Sequence, residues 1–250
     1  MERIKSPLIS VITVSYNAKA TIERTILSVL NQTYSNIEYI IIDGGSKDGT
    51  VDIIEQKDSL FTEKGISFKY ISEKDDGIYY AMNKGIKMAN GELVALLNAD
   101  DWYESGTIEK VVTYYQSNTE IDIFHGILRF VSMLNGEAYM LRGSADSFLK
   151  HGMIEHPTCF IKKSLYEKVG YFNVLYKNAS DYDWMLRAKK TNAKFLLIPY
   201  ILTNFQSGGV SDSLLSTNEE LLIKRRHGIM NRPKYVYKKI FAYLLSKRKS

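Results

Sequence analysis

Cysteine is almost absent. Cys159 is alone among 250 residues, so no intrachain disulfide can form and packing must hold the fold together, as suits a reducing compartment. Proline is scarce, at four residues, and neither an internal repeat nor a low-complexity linker interrupts the chain. No apolar stretch approaches the ~20 residues of a bilayer-spanning helix. Leu8 to Val14 is too short for a span or for a signal-peptide core, and Met1 to Pro7 does not read as a signal peptide. Acid is missing from one place. Of the 33 Lys and Arg residues, 10 lie between Lys224 and Ser250, where there is no Asp or Glu. That leaves 23 basic against 28 acidic groups in residues 1–223, a net of −5, although the whole chain carries +5. The basic character therefore belongs to a tail and not to the fold. A nucleic-acid-binding module would carry a basic face on the fold itself.

What is present is an ordinary globular composition, 45% hydrophobic and 24% charged, enough for one large core or two small fused ones. Leu8 to Val14 reads as a strand buried on both faces, as in parallel sheets. Ile22, Ile26, Val29 and Leu30 recur at helical spacing. Tyr39 to Ile42 is a second strand ending at Asp43, Thr50 to Gln56 a helix, Phe68 to Ser72 a third strand, and Ile78 to Met88 a helix closed by Asn90-Gly91 as a C-cap. Leu93 to Leu97 is the fourth strand. This alternation predicts an α/β, mostly parallel, doubly wound sheet. The second half is less regular: strands at Ile121 to Phe124, Cys159 to Ile161 and Phe195 to Ile198, helices at Leu165 to Val169 and Tyr182 to Ala188, and a hairpin turn at Asn135-Gly136.

Three of these strands end in acids: Asp43, Asp75/Asp76 and Asp100/Asp101. Each alone has a bland alternative, as a turn or helix-start Asp. A parallel sheet gathers all three ends on one edge, where ligands bind, and crowded carboxylates repel unless a cation sits among them. Oxygen ligands suit a hard divalent cation, and such a cation suits a diphosphate. Gly44 and Gly49 have P-loop spacing without the phosphate-binding lysine, and Ser15-Tyr16-Asn17 stands where a dinucleotide fold would carry its glycines. The same gap excludes a sugar nucleotidyltransferase. The glycines instead fit a tight turn that presents Asp43 to a ribose or base N–H. Asp181 to Trp184 opens a helix; the bland role for Ser180 or Asp181 is to cap it, and the functional one for its acids, Asp181 and Asp183, is a general base near the metal site.

Val11 to Asn17, Ser28 to Tyr34, Glu38 to Thr50, Asp76 to Gly85, Leu97 to Tyr103, Phe160 to Phe172, Ser180 to Arg187 and Gly208 to Ser211 together resemble the inverting family 2 glycosyltransferases with a GT-A fold, of the bacterial cell-surface polysaccharide type. The likeness runs from about residue 7 to about residue 212, with the blocks in the family's order.

The resemblance implies a GT-A fold with a smaller acceptor-side region. Residues 1–102 would form a nucleotide-sugar-binding half and 103–223 an acceptor-side half, with 224–250 a basic amphipathic helical tail. It implies a nucleotide-sugar donor, usually a UDP-sugar, with Mn²⁺ or Mg²⁺, and a glycan or lipid-linked acceptor. Thr13, Val14, Ser15, Tyr16 and Asn17 would line the nucleotide pocket, largely through backbone, and Asp43 would hold the base. Asp76 and Lys84 would lie near the sugar or diphosphate. Asn98, Ala99 and Asp100 occupy the Asp-x-Asp position, with Asp100 or Asp101 as metal ligand. Asp181 matches the catalytic base, with Asp183 as fallback. Two departures stand out: Asn98 replaces the motif's first Asp, and Ser180 stands where Glu often precedes the base.

In the tail, Val236, Ile240 and Tyr243/Leu244 share one helical stripe, with Lys238 and Lys239 elsewhere, which suits an anionic membrane surface or else a solvated helix. The expected location is cytoplasmic, with the tail as a route to peripheral contact at the inner membrane. The rival function is a catalytically inactive homologue that serves as a binding or scaffold protein.

Overall fold

The computed structural model describes residues 6–207 and 214–247, with side-chain surroundings given for 6–207 and 216–240. The chain begins with β1 (Ile9–Ser15), α1 (Ile22–Leu30), β2 (Ile37–Asp43), α2 (Thr50–Glu55), α3 (Asp58–Glu63), β3 (Ser67–Ser72), α4 (Ile78–Met88) and β4 (Leu93–Leu96). β5 (Trp102–Tyr103), α5 (Thr107–Ser117), β6 (Ile123–Val131), β7 (Ala138–Arg142), β8 (Phe160–Lys162), α6 (Lys163–Val169), α7 (Ser180–Lys190), β9 (Phe195–Gln206), α8 (Leu214–Arg226) and α9 (Arg232–Lys247) follow.

One nine-stranded sheet runs through the molecule in the order β3-β2-β1-β4-β8-β6-β9-β5, with β7 pairing along the second half of β6. β3, β2, β1 and β4 are parallel neighbours. β8 then enters antiparallel between β4 and β6, so β6, and β9 beside it, again point with the first four. The expected parallel core is therefore present, with antiparallel strands confined to the second half.

Side-chain alternation explains why β1, β2 and β4 look apolar throughout. Ile12, Ile40 and Val94 join one core cluster with Tyr79, Met82 and Ile86 of α4 and Trp184 and Met185 of α7. Their neighbours Val11, Tyr39, Ile41 and Ala95 face the opposite cluster, with Ile22 and Ile26 of α1, Phe61 of α3 and Ile108 and Val111 of α5. Both faces of the sheet are covered, so no polar side is required.

Two sequence expectations need correction here. Asn90-Gly91 does not cap α4 in a left-handed turn, because Ala89 leaves the helix extended (ψ 136°). Gly91 instead packs on β1: a Cβ there would lie 2.5 Å from Ser10 Oγ, and its N–H donates to Ser10 Oγ at 2.7 Å. Asn90 and Gly91 also donate to the buried Glu38 carboxylate, which burial would raise but these bonds and Ser10 hold below the usual carboxylate range. The second correction concerns Ser180, which caps nothing. The N-cap of α7 is Ala179, without a side-chain cap bond, and Ser180 Oγ donates to Asn173 O at 2.8 Å. The Asn135-Gly136 turn does join β6 to β7, with Gly136 at φ 71°. α8 runs unbroken across the expected boundary at 223/224, and Ile223 and Lys224 are both buried.

Candidate active site

The carboxyl ends of β1, β2, β3 and β4 share one edge of the parallel sheet. The loops that leave this edge are cross-linked. Asn17, in the left-handed region (φ 49°), receives the Lys47 N–H on Oδ1 and donates its own N–H to Ser46 Oγ. Ala18 N–H donates to Thr50 Oγ1, and Lys19 N–H to Asp48. Of Thr13 to Asn17, only Tyr16 and Asn17 expose their side chains. Tyr16 is 68% exposed, and its ring lies close enough to Gly44 that a Cβ there would sit 3.3 Å from it. An aromatic face thus stands open at the mouth of the β1 and β2 loops.

Asp43 organises this corner. Oδ1 accepts from Ser15 Oγ (2.9 Å) and Ser46 Oγ (2.5 Å). Oδ2 accepts from Gly45 N (3.1 Å), Ser46 N (2.8 Å) and Ser72 Oγ (2.7 Å). Burial pushes this carboxyl up, but the bonds from Ser46, Ser72 and Ser15 outweigh it and hold it below the ordinary range. It is fully buried. Against the expectation that Asp43 offers a free oxygen to a base or ribose, protein donors already occupy both oxygens, and its visible work is to lock the three loops together.

Asp100 and Asp101 follow β4. Asp101 N–H closes a turn on Asn98 O; Ala99 is buried, whereas Asn98 and Asp100 are partly open. Asp101 is fully buried. Its Oδ1 accepts a long bond from Gln206 N (3.3 Å), and its Oδ2 has no partner among the described residues. Burial raises both carboxyls, Asp101 the further because it is fully buried, and Asp100 adds repulsion to it. Arg24 of α1 supplies the nearest compensation. Its guanidinium donates to Asp100 O at 2.9 Å, bonds Gln206 and lies 3.6 Å over the Trp102 ring. No cluster of three or more His, Cys, Asp or Glu forms a metal cage among the described residues. Two adjacent hard oxygen donors, one with an orphaned buried atom, instead suit a divalent cation that takes its remaining ligands from phosphate and water.

Asp75 and Asp76 lie between β3 and α4. Asp76 is exposed. Lys84, in the second turn of α4, pairs with Glu73 (2.5 Å) and Asp75 (2.8 Å). Burial lowers its pKa, but those two carboxylates more than reverse the effect.

Asp181 and Asp183 part company. Asp183 is 7% exposed, and both its oxygens are engaged, Oδ2 by Arg187 Nε and Oδ1 by His227 Nε2, each at 2.9 Å. Asp181 is half-buried. Its Oδ1 accepts from Tyr79 Oη (3.0 Å) and from Tyr182 N–H (2.9 Å), and no described donor reaches Oδ2. Tyr79 lies in the first turn of α4, three residues after Asp76. This bond therefore ties the α7 carboxylate to the same sheet edge. Burial raises the Tyr79 phenol well above its usual value, and Asp181 raises it further, so the phenol remains a donor. His156 is buried close by, its ring edge-on to Phe172. Burial lowers its pKa, with Asp181 partly opposing, and it stands beside the site as a neutral imidazole.

Sequence reasoning missed Arg24, Gln206, His227 and Glu219. Arg24 sits on the polar flank of an amphipathic helix, where nothing marks it. Gln206 lies beyond the expected strand end, Glu219 lies on a helix whose sequence shows little segregation of apolar residues, and His227 lies in the turn just after it. The Gly208 to Ser211 block, and the side chains of Tyr243 and Leu244, lie outside the described residues.

Comparison with known proteins adds three likenesses. A PGL/p-HBAD biosynthesis glycosyltransferase from Mycobacterium bovis is 27% identical over 215 residues, covering 84% of this chain and 81% of the relative. Residues 1–349 of Staphylococcus aureus TarS, solved with UDP-GlcNAc, superpose with a TM-score of 0.69 at 17% identity, covering 89% of this chain and 66% of that one. The mannosyltransferase PcManGT from Pyrobaculum calidifontis, solved with GDP-Man and Mn²⁺, gives a TM-score of 0.69 at 15% identity, covering 96% and 70%. These two structures bear out the fold. The family model described as glycosyl transferase family 2 matches residues 10–178, and the chain belongs to that family of glycosyltransferases.

Proposed function

We propose that the chain is a divalent-metal-dependent, inverting glycosyltransferase that moves a sugar from a UDP-sugar to a hydroxyl of a glycan or lipid-linked acceptor in surface polysaccharide synthesis. The observation that carries the reading is the Tyr79–Asp181 bond. It joins a carboxylate with one free oxygen to the edge that bears the Asp76 and Asp100/Asp101 loops.

In this reading Tyr16 offers its exposed ring to the base of the nucleotide, and the locked loop around Asp43 shapes the pocket behind it. Asp100 and Asp101 would hold Mn²⁺ or Mg²⁺, which would supply Lewis-acid stabilisation of the diphosphate leaving group. Asn98 adds an amide to that turn, a neutral oxygen for a ribose hydroxyl. Asp76 and Lys84 face the sugar or diphosphate side. Tyr79 holds Oδ1 of Asp181, and Oδ2 takes the proton from the acceptor hydroxyl as its oxygen bonds to the anomeric carbon and the bond to the diphosphate breaks. A single base opposite the leaving group gives one displacement with inversion. Asp183 is spent on Arg187 and His227 and does not take this role.

The acceptor side extends to α9. Val236, Tyr237 and Ile240 are 45%, 68% and 55% exposed, beside exposed Lys234, Lys238 and Lys239. A basic helix with exposed apolar side chains suits an anionic bilayer, which would bring the enzyme to a lipid-linked acceptor at the cytoplasmic face. No helix of the described residues is long and apolar enough to cross a membrane.

The test is nucleotide release from a panel of UDP-, GDP- and dTDP-sugars with Mn²⁺, with chelator, and with Asp100→Ala. Release from a UDP-sugar that chelator and Asp100→Ala both suppress is expected. Donor binding by calorimetry without any turnover would favour the scaffold reading, and metal-independent release would remove Asp100 and Asp101 from the cation.

A further inference from the structure

Asp181 rides on a helix that does not cap itself. Ala179 at the N-cap offers no side-chain acceptor, yet the three amides before α7 are satisfied. Lys177, Asn178 and Ala179 N–H all donate to the Glu219 carboxylate of α8, at 2.8, 2.7 and 3.1 Å. A charged acceptor on backbone amides makes stronger hydrogen bonds than a neutral one, and its charge also sits favourably at a helix N-terminus. Farther along α8's direction, His227 reaches Asp183, which Arg187 holds from within α7. Arg187 in turn donates to Val169 O and Tyr171 O. The residues on either side of Asp181 are therefore gripped, 177–179 by Glu219 and Asp183 by His227.

We propose that Glu219 is a positioning residue that sets the aim of Asp181, and the proposal rests on reading Asp181 as the base. Tyr79 occupies Oδ1, so the direction of Oδ2 follows from where the first turn of α7 stands. Glu219 fixes that turn from a separate helix. A displacement of ~1 Å in a proton acceptor costs on the order of 100-fold in rate, whereas donor binding depends on the β1, β2 and β4 loops, which Glu219 does not touch.

The experiment uses full-length protein, Mn²⁺ and whichever sugar nucleotide of the panel above is hydrolysed fastest, with kcat and donor KM measured for Glu219→Ala, Glu219→Gln, Lys224→Ala and Asp181→Asn. Lys224 also anchors α8, donating to His151 O and pairing with Glu220; its ammonium lies 5.7 Å from the centre of the Tyr182 ring, but it makes no hydrogen bond to residues 177–179, which Glu219 alone grips from α8 among the described residues. Glu219→Ala is expected to lower kcat by about 10- to 100-fold with donor KM within about twofold. Gln, which keeps an acceptor oxygen, restores much of the loss. Lys224→Ala keeps kcat within about twofold even if its melting temperature falls as far. An unchanged kcat in Glu219→Ala, an equal loss in Lys224→Ala, a loss in KM instead of kcat, or no rescue by Gln overturns the proposal. Asp181→Asn separates the two readings. If it is inactive while Glu219→Ala is fully active, only the positioning role falls; if it turns over normally, the base assignment falls and Glu219 with it.

Discussion

Asp181 and Asp183 are two residues apart on one helix, equally acidic in sequence and opposite in circumstance. A helix turns ~100° per residue, so a separation of two places them on different faces. One faces Tyr79 and keeps an oxygen free, while the other is closed by Arg187 and His227. Their substitutions should therefore separate chemistry from stability. Asp181→Asn is expected to abolish transfer, with donor binding and melting temperature near wild type. Asp183→Asn leaves the partly buried Arg187 guanidinium without its charge partner and is expected to cost about 3 kcal/mol, measured by urea unfolding. The acids at the strand ends were legible because strand, turn and helix fix their place along the sheet edge. Their hydrogen bonds were not. Asp43 looks like a ligand-facing carboxylate in sequence, and only the convergence of Ser15, Ser46 and Ser72 reveals that its oxygens are filled. Those serines come from three separate strand ends or loops, a coincidence that only folding creates.

Among the elements, β1, β2 and β4 were legible to within a residue or two because burial on both faces leaves uninterrupted apolar runs, whereas the half-exposed β3 and the helix α4 were read from their apolar spacing. β6 and β9 read as short strands because Gly126 and Pro199 look like breakers. Both are instead accommodated where the ladder shifts register, between His125 and Ile127 opposite Leu197 to Ile201. A Cβ on Gly126 would lie 2.5 Å from Leu202, so the glycine marks close packing inside a strand pair and not its end. β5 and α5 went unread because their apolar spacing follows directly on the acidic turn. At the far end, α9 makes its own prediction. Full-length protein should co-sediment with vesicles containing anionic lipid but not with neutral ones. The double substitution Val236→Glu, Ile240→Glu should release it while soluble donor hydrolysis stays near wild type. Equal co-sedimentation by both proteins would remove the membrane role from this helix.

At the scale of the whole molecule, stability should fall in mild acid. Burial pushes His125 down to about 4, with Glu155 and Asp146 opposing, and its Nδ1 has no partner among the described residues. His156 is lowered as well. Above the unfolded value of 6.5 both states leave the ring neutral and nothing is lost. As pH falls from there through the folded value, the unfolded chain takes up the proton first, and the penalty for His125 grows to about 3 kcal/mol. Asp101, raised in the fold, contributes with the opposite sign, so the clean measurement is a difference. The stability of His125→Phe, from urea unfolding at about pH 7 and about pH 5, should fall less than that of wild type. An equal drop would place the acid sensitivity elsewhere.

The single sheet has a consequence for engineering. A cut between residues 102 and 103 would split β5, and β8, which lies far along the chain, is the strand that seals β4. Donor preference therefore cannot be moved between relatives by grafting the first hundred or so residues as a cassette. The transplanted portion would arrive with a raw hydrogen-bonding margin along β4, and a productive chimera would have to carry the matching β8 ribbon and the end of β9 with it.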